Sequence, residues 1–212
     1  MPNAISTIAI LANGSPPSHA IALERFRTAD MLVCCDGAFA KARALGREPD
    51  FVVGDGDSTS AEARADLGER FVSVVEQDTN DLAKAFRFAV SRHPGGIAIL
   101  GATGLREDHG LGNIFWLLDF AGVFPDVAML TDAGRFDVVA GERTFDCRPG
   151  DAVSVFAVDR DAHVRSQGLE WPLDDVRFEN LHCATLNRTT GLRFSLAPDR
   201  PILLYRPHPG LP

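Results

Sequence analysis

Along the first 132 residues, short apolar runs alternate with segments whose apolar positions recur every three or four residues. The runs fall at 6–13 (STIAILAN), 31–35 (MLVCC), 51–54 (FVVG), 71–76 (FVSVVE), 96–101 (GIAILG) and 126–131 (DVAMLT), and each predicts a β-strand. Between them, 19–29, 38–46, 80–93 and 110–122 predict helices. In 80–93 the residues Leu82, Phe86, Ala89 and Val90 make one apolar stripe. Strands that are apolar throughout and alternate with helices imply a mainly parallel sheet covered on both faces. The pattern changes near 132–135. The runs RFDVVAG, RTFDCR, DAVSVFAVD, AHVRSQG, HCATLNR, LRFSLA and PILLYRP follow with Gly, Pro and Asp between them and no helical periodicity. They predict an all-β sandwich. The expected organisation is an α/β domain over 1–132 and a β-sandwich over 133–212.

Composition narrows the class. A chain of 212 residues, 45% hydrophobic and 24% charged, is ordinary for a globular protein. No apolar run approaches the roughly 18–20 residues that span a bilayer, so no membrane association is expected. The apolar N-terminal run has no preceding Lys or Arg and reads as a strand, not a leader. Cys34, Cys35, Cys147 and Cys183 fit no zinc spacing, and a reduced, cytoplasmic location is expected. The net charge of −8 argues against a nucleic-acid partner. A phosphate substrate is still compatible with it if a metal ion intervenes.

The acidic residues carry the candidate chemistry. Asp36 follows the second strand, Asp55 and Asp57 the third, Asp78 and Asp81 the fourth, and Asp108 the fifth. In a parallel sheet these positions share the carboxyl edge, where ligands bind in open α/β folds. Any one of them can be explained as a helix N-cap, and Asp78 or Thr79 is read as a cap only. The run FVVGDGDSTS asks for more. One cap needs one carboxylate, and Ser58 or Thr59 can supply it. Converging carboxylates repel unless a cation sits among them, and magnesium prefers one or two carboxylates with phosphate oxygens and water. The flanking glycines are expected to let backbone approach a phosphate. The stretch GATGLREDHGLGN, 101–113, adds Arg106, whose planar fork suits phosphate, and Asp108 and His109 at a helix start. It is neither a P-loop nor a Rossmann fingerprint.

Taken together, CDGA (35–38), GDGDS (54–58), QDTND (77–81), GATGLREDH (101–109) with Asn113, and GLEWPL (168–173) resemble the thiamine pyrophosphokinase family in order and spacing. The resemblance implies transfer of a pyrophosphoryl group from ATP to thiamine with magnesium. It also implies a homodimer with the site at the subunit interface. By the same resemblance Asp55, Asp57 and Asp81 hold metal and triphosphate. Asp36, Gly54, Ser58, Gln77, Gly101, Thr103, Gly104, Arg106, His109 and Asn113 form the ATP site. Asp57, Asp81, Arg106 and Asp108 are the catalytic set, with Asp57 or Asp81 orienting the thiamine hydroxyl or taking its proton. Asn187 stands for the thiamine contact. The chain departs from the family at DGAFA (36–40) and at Leu186-Asn187, where the family often has Ser-Asn.

Two other readings stay open. An apolar strand followed by Asp-x-Asp-x-Thr also fits a phosphatase of the haloacid dehalogenase type, although such a motif usually sits on a first strand. A non-catalytic nucleotide or thiamine sensor is the other. Trp116 and Trp171 are expected to be packed.

Overall fold

The structure is a computed structural model and describes residues 5–210. The chain divides between Asp132 and Ala133 into two compact units.

In the first unit the strands are β1 (Thr7–Leu11), β2 (Met31–Cys35), β3 (Phe51–Gly54), β4 (Phe71–Ser73), β5 (Gly96–Leu100) and β6 (Val127–Leu130). They lie side by side in the order β6-β5-β1-β2-β3-β4, every pair parallel. Ile8, Ile10, Leu32, Val52, Ile99 and Met129 are fully buried, as expected of strands covered on both faces. The helices are α1 (Ala20–Thr28), α2 (Phe39–Ala44), α3 (Ala61–Leu67), α4 (Asp81–Val90) and α5 (Glu107–Val123). Phe86 of α4 stacks on Phe120 of α5 with centroids 4.1 Å apart, which locks these helices together. After β4 the chain crosses back over β1, so strand order reverses between β1 and β5. Loops at such a reversal part and leave a crevice.

Several local expectations change. The strand expected over 71–76 stops at Ser73, because the loop that follows is tied by Glu76, whose carboxylate accepts from Thr79 and Arg87. Helix α3 was not expected; its seven residues are too few to show a period, but Ser60 caps it by accepting from the Ala63 N–H. Neither Asp78 nor Thr79 caps α4: Asn80 does, accepting from the Ala83 N–H at 3.0 Å. Helix α5 starts at Glu107, three residues before the expected 110–122, and runs through Gly110 and Gly112.

The second unit holds β7 (Gly134–Val139), β8 (Arg143–Asp146), β9 (Ala152–Phe156), β10 (Val164–Gln167), β11 (Ala184–Arg188), β12 (Arg193–Pro198) and β13 (Ile202–Pro207). Its antiparallel layers run β11-β9-β13-β7 and β10-β12-β8. Val153, Val155 and Leu204 of one layer share a core with Val164, Phe194 and Leu196 of the other. Phe145 and Phe194 are directly paired across β8 and β12 and stack at 5.0 Å. Asp137 on β7 is 1% exposed and lies between two arginines. Arg135 reaches its Oδ1 at 2.7 Å and Arg206 its Oδ2 at 2.8 Å. Burial alone would raise the Asp137 pKa, but the two guanidiniums override it and hold the carboxyl below its usual range.

Candidate active site

The strand reversal carries a cavity of about 470 Å³. Its floor comes from the loop after β1 (Asn13, Gly14) and the loop after β5 (Ala102, Thr103). These loops interlock. The Gly14 N–H donates to Gly101 O at 2.6 Å, and a Cβ at Gly14 would lie 2.4 Å from Thr103 O. Lys41 fastens the same loop, donating to Asn13 O, Asn13 Oδ1 and Gly14 O at 2.7–2.8 Å. Loss of water lowers its pKa.

One wall is ionic. Asp55 follows β3, and Asp81 and Lys84 open α4. The Lys84 ammonium lies 3.2 Å from Asp81 Oδ1 and 4.0 Å from Asp55 Oδ2. Asp55 accepts from the Asp57 N–H and from Gln77 Nε2, each at 3.2 Å, and these bonds lower its pKa. Asp81 moves the other way: desolvation raises its pKa, against the pull of Lys84. The opposite wall comes from α5 and the loop before it, with Arg106, His109 and Asn113. Asn113 donates to Ala102 O at 2.8 Å and accepts from Asn80 at 3.0 Å, so it braces that wall. Arg106 faces the solvent side. It is clasped in two-point fashion by Asp108, at 3.1 and 2.5 Å, and the fork pulls the Asp108 carboxyl down to about 2.

Of the expected site residues, Asp55, Gln77, Asp81, Thr103, Arg106, His109 and Asn113 line this cavity. Gly54, Asp57, Ser58, Gly101, Gly104 and Asp108 are not in its lining, and neither is Asp36. Asp36 is 1% exposed and fully engaged: its carboxylate accepts from the Ser58 N–H at 2.9 Å and from the Thr59 hydroxyl. It ties the GDGDS loop to the end of β2. Gly54 serves the same tie. A Cβ at Gly54 would sit 2.5 Å from the Asp36 Cβ, so this glycine makes room for the tie. Among the described residues, no three His, Cys, Asp or Glu side chains gather as a ready metal cage.

Lys84 was missed in the sequence. Its signal was available: a lysine among Leu82, Ala83, Ala85 and Phe86, on the buried face, three residues after Asp81. In the second unit, Asn187 is buried. It accepts from the Trp171 and Arg188 N–H groups and donates to Trp171 O at 2.7 Å. Its amide therefore shapes the loop that carries Trp171. That tryptophan, expected to be packed, is 54% exposed, because its backbone and not its ring is anchored. Trp116 is half-buried against Phe120.

An open parallel sheet with an acid-and-base cavity at its strand reversal is the architecture of a nucleotide-type enzyme domain. Family models identify it further. The thiamin pyrophosphokinase catalytic domain matches residues 23–129, and the thiamin pyrophosphokinase substrate-binding domain matches 134–205. The chain belongs to the thiamin pyrophosphokinase family. A curated relative, thiamine pyrophosphokinase 1 of Oryza sativa subsp. japonica, is 36% identical over 95 residues. That match covers 40% of this chain and 35% of the rice protein, so it spans about a third of the relative's length. Among solved structures, the thiamine pyrophosphokinase of Bacillus subtilis matches with a TM-score of 0.79 at 22% identity, covering 97% of this chain and all of that one. The Candida albicans enzyme matches at 0.75 and 14% identity, over 95% and 88% of the two chains. At such identities the likeness is one of fold.

Proposed function

We propose that the protein transfers a pyrophosphoryl group from ATP to the hydroxyl of thiamine, giving thiamine diphosphate and AMP. The observation that carries this reading is the cavity at the strand reversal, lined by the carboxylates Asp55 and Asp81 and by Arg106, in a chain matched by both family models. The donor set suits magnesium. Asp55 and Asp81 offer hard carboxylate oxygens, Asp55 is held ionised by its hydrogen bonds, and the Lys84 ammonium beside both stands where a cation is needed. Asp55 and Asp81 would hold the metal, with Asp57 two residues away on the same loop. When bound, it would neutralise charge on the phosphate oxygens.

The chain's own groups do the rest. Arg106 exchanges Asp108 for phosphate, keeping its two-point geometry and meeting charge that develops in the transition state. Asp108, released, remains beside the His109 N–H at the start of α5. Gln77 and Thr103 offer hydrogen bonds inside the cavity. Asp81 lines the cavity whereas Asp57 does not, which favours Asp81 for orienting the thiamine hydroxyl. Alignment and charge neutralisation suffice for this class of transfer.

In this reading residues 1–132 are the nucleotide-binding catalytic domain, and 133–212 bind thiamine and pair two chains in the cytoplasm. The name of the second family model supports the thiamine part. If each site is completed by the partner's second domain, two inactive variants, Asp55→Asn and Asn187→Ala, complement on mixing. Half of the dimers are then mixed with one intact site each, so activity returns to about a quarter of wild type. Incubation with ATP, magnesium and thiamine tests the main reading. Equal amounts of AMP and thiamine diphosphate are expected. Free phosphate alone would favour a phosphatase, and no turnover a sensor.

A further inference from the structure

Lys84, which so far only marks where a cation is needed, has a part of its own in the cavity. Its side chain is 2% exposed, whereas those of Asp55 and Asp81 are 20% and 35% exposed. A lysine gives up that much water only where opposite charge replaces it. Its flanking residues on α4, Leu82, Ala83, Ala85 and Phe86, are buried and apolar, so the replacement comes from the two carboxylates. The ammonium thus sits on the ground that a divalent cation would need.

Charge counting sharpens the point. Among the groups in ion-pair contact, two carboxylates and one ammonium sum to one negative charge, and the Asp36 carboxylate behind them is held by the Ser58 N–H and the Thr59 hydroxyl and stays where it is. A divalent cation alone would convert this to one positive charge in a half-buried cavity, with the ammonium and the metal repelling each other. A cation that arrives with nucleotide phosphate brings compensating negative charge, and its oxygens give the ammonium new acceptors. We infer that Lys84 is a resident counter-cation that competes with divalent metal for Asp55 and Asp81, so that metal binds tightly only together with nucleotide. This inference rests on the ATP-and-metal reading and adds an order of binding to it.

The test measures metal without turnover. Manganese(II) alone, with no nucleotide, is titrated into wild type, Lys84→Met, Lys84→Gln and Lys84→Arg, and the free ion is counted by electron paramagnetic resonance. The neutral variants are expected to bind manganese about tenfold or more tighter than wild type, as expected for a unit charge removed at this distance. Lys84→Arg keeps the competing charge and stays weak. Lys84→Gln retains a hydrogen-bond donor toward Asp81, so the comparison survives if the Met variant folds poorly. With manganese and a non-hydrolysable ATP analogue together, the neutral variants lose their advantage. Neutral variants that bind manganese no tighter than wild type would overturn the inference, as would an Arg variant as tight as the neutral ones. A wild-type protein that forms no AMP from ATP and thiamine would sink the functional reading instead, and the metal titration would still be readable.

Discussion

Two ionic clusters, one in each unit, are built from the same materials and are opposite in character. In the first unit, two carboxylates share one lysine and face a cavity; in the second, one carboxylate sits between two arginines. Asp137 is 1% exposed, with both oxygens matched by guanidinium donors. Asp55 and Asp81 keep partial access to water and are one positive charge short. A closed cluster contributes to folding and has nothing left to offer a ligand. A cluster short of a cation, open to a cavity, is an invitation to one. The pKa directions divide the open cluster itself: Asp137 is held down, and so is Asp55 by its hydrogen bonds, while desolvation pushes Asp81 up.

Removing charge from the closed cluster has the largest expected effect on folding. Asp137→Asn leaves two guanidiniums against one neutral amide. It should lower stability by about 3 kcal/mol, the low end for breaking a buried pair because both arginines keep some water contact. Denaturant melting checks this, and turnover per folded molecule should be unchanged. Asp55→Asn reverses the pattern. Turnover should fall by about two orders of magnitude or more, roughly 2.7 kcal/mol, with the melting temperature little altered. Next in size is Arg106→Lys. A point charge cannot replace the fork, so nucleotide affinity should drop about tenfold by calorimetry. A lysine variant with native affinity would reduce Arg106 to a loop residue.

The smallest effects are in pH, and there the clusters should differ in sign. The pKa of Asp137 is lowered on folding, so its stabilisation is complete above the ordinary carboxyl value of 3.8 and is lost as pH falls through the lower folded value. The gap in melting temperature between wild type and Asp137→Asn should therefore close in acid. The Asp81 pKa is raised, so its stabilisation is present below 3.8 and is lost as pH rises through the folded value. Asp81→Asn mimics the protonated form and should melt no lower than wild type at neutral pH. A clear loss at pH 7 would mean that Lys84 outweighs desolvation there.

How far the sequence shows these clusters follows from what each depends on. The strands and most helices of the first unit are legible because burial on both faces writes apolar runs such as GIAIL and a stripe such as Leu82–Phe86–Ala89. Helix α3 is not, being shorter than the window a period needs. Asp55 and Asp81 stand out because two strand ends deliver them to one edge. Asp36 stands out for the same reason and proves to be a tie within the loop, since a carboxylate looks alike in sequence whether it faces backbone donors or a cavity. Lys84 does not stand out, because only its apolar neighbours separate a buried lysine in a helix from one that faces water. Arg135, Asp137 and Arg206 pair across β7 and β13, 69 residues apart, and nothing local announces that register. The exposed Trp171 depends on the buried Asn187 amide 16 residues on.

The most direct test of this contrast is one calorimetric titration with magnesium and a non-hydrolysable ATP analogue, run on wild type, Asp55→Asn and Asp137→Asn below the melting point of each. The account predicts saturable binding to wild type and to Asp137→Asn with similar affinity, and binding to Asp55→Asn weakened about tenfold or more. Equal affinity for wild type and Asp55→Asn, or a loss in Asp137→Asn as large as that in Asp55→Asn, would contradict it.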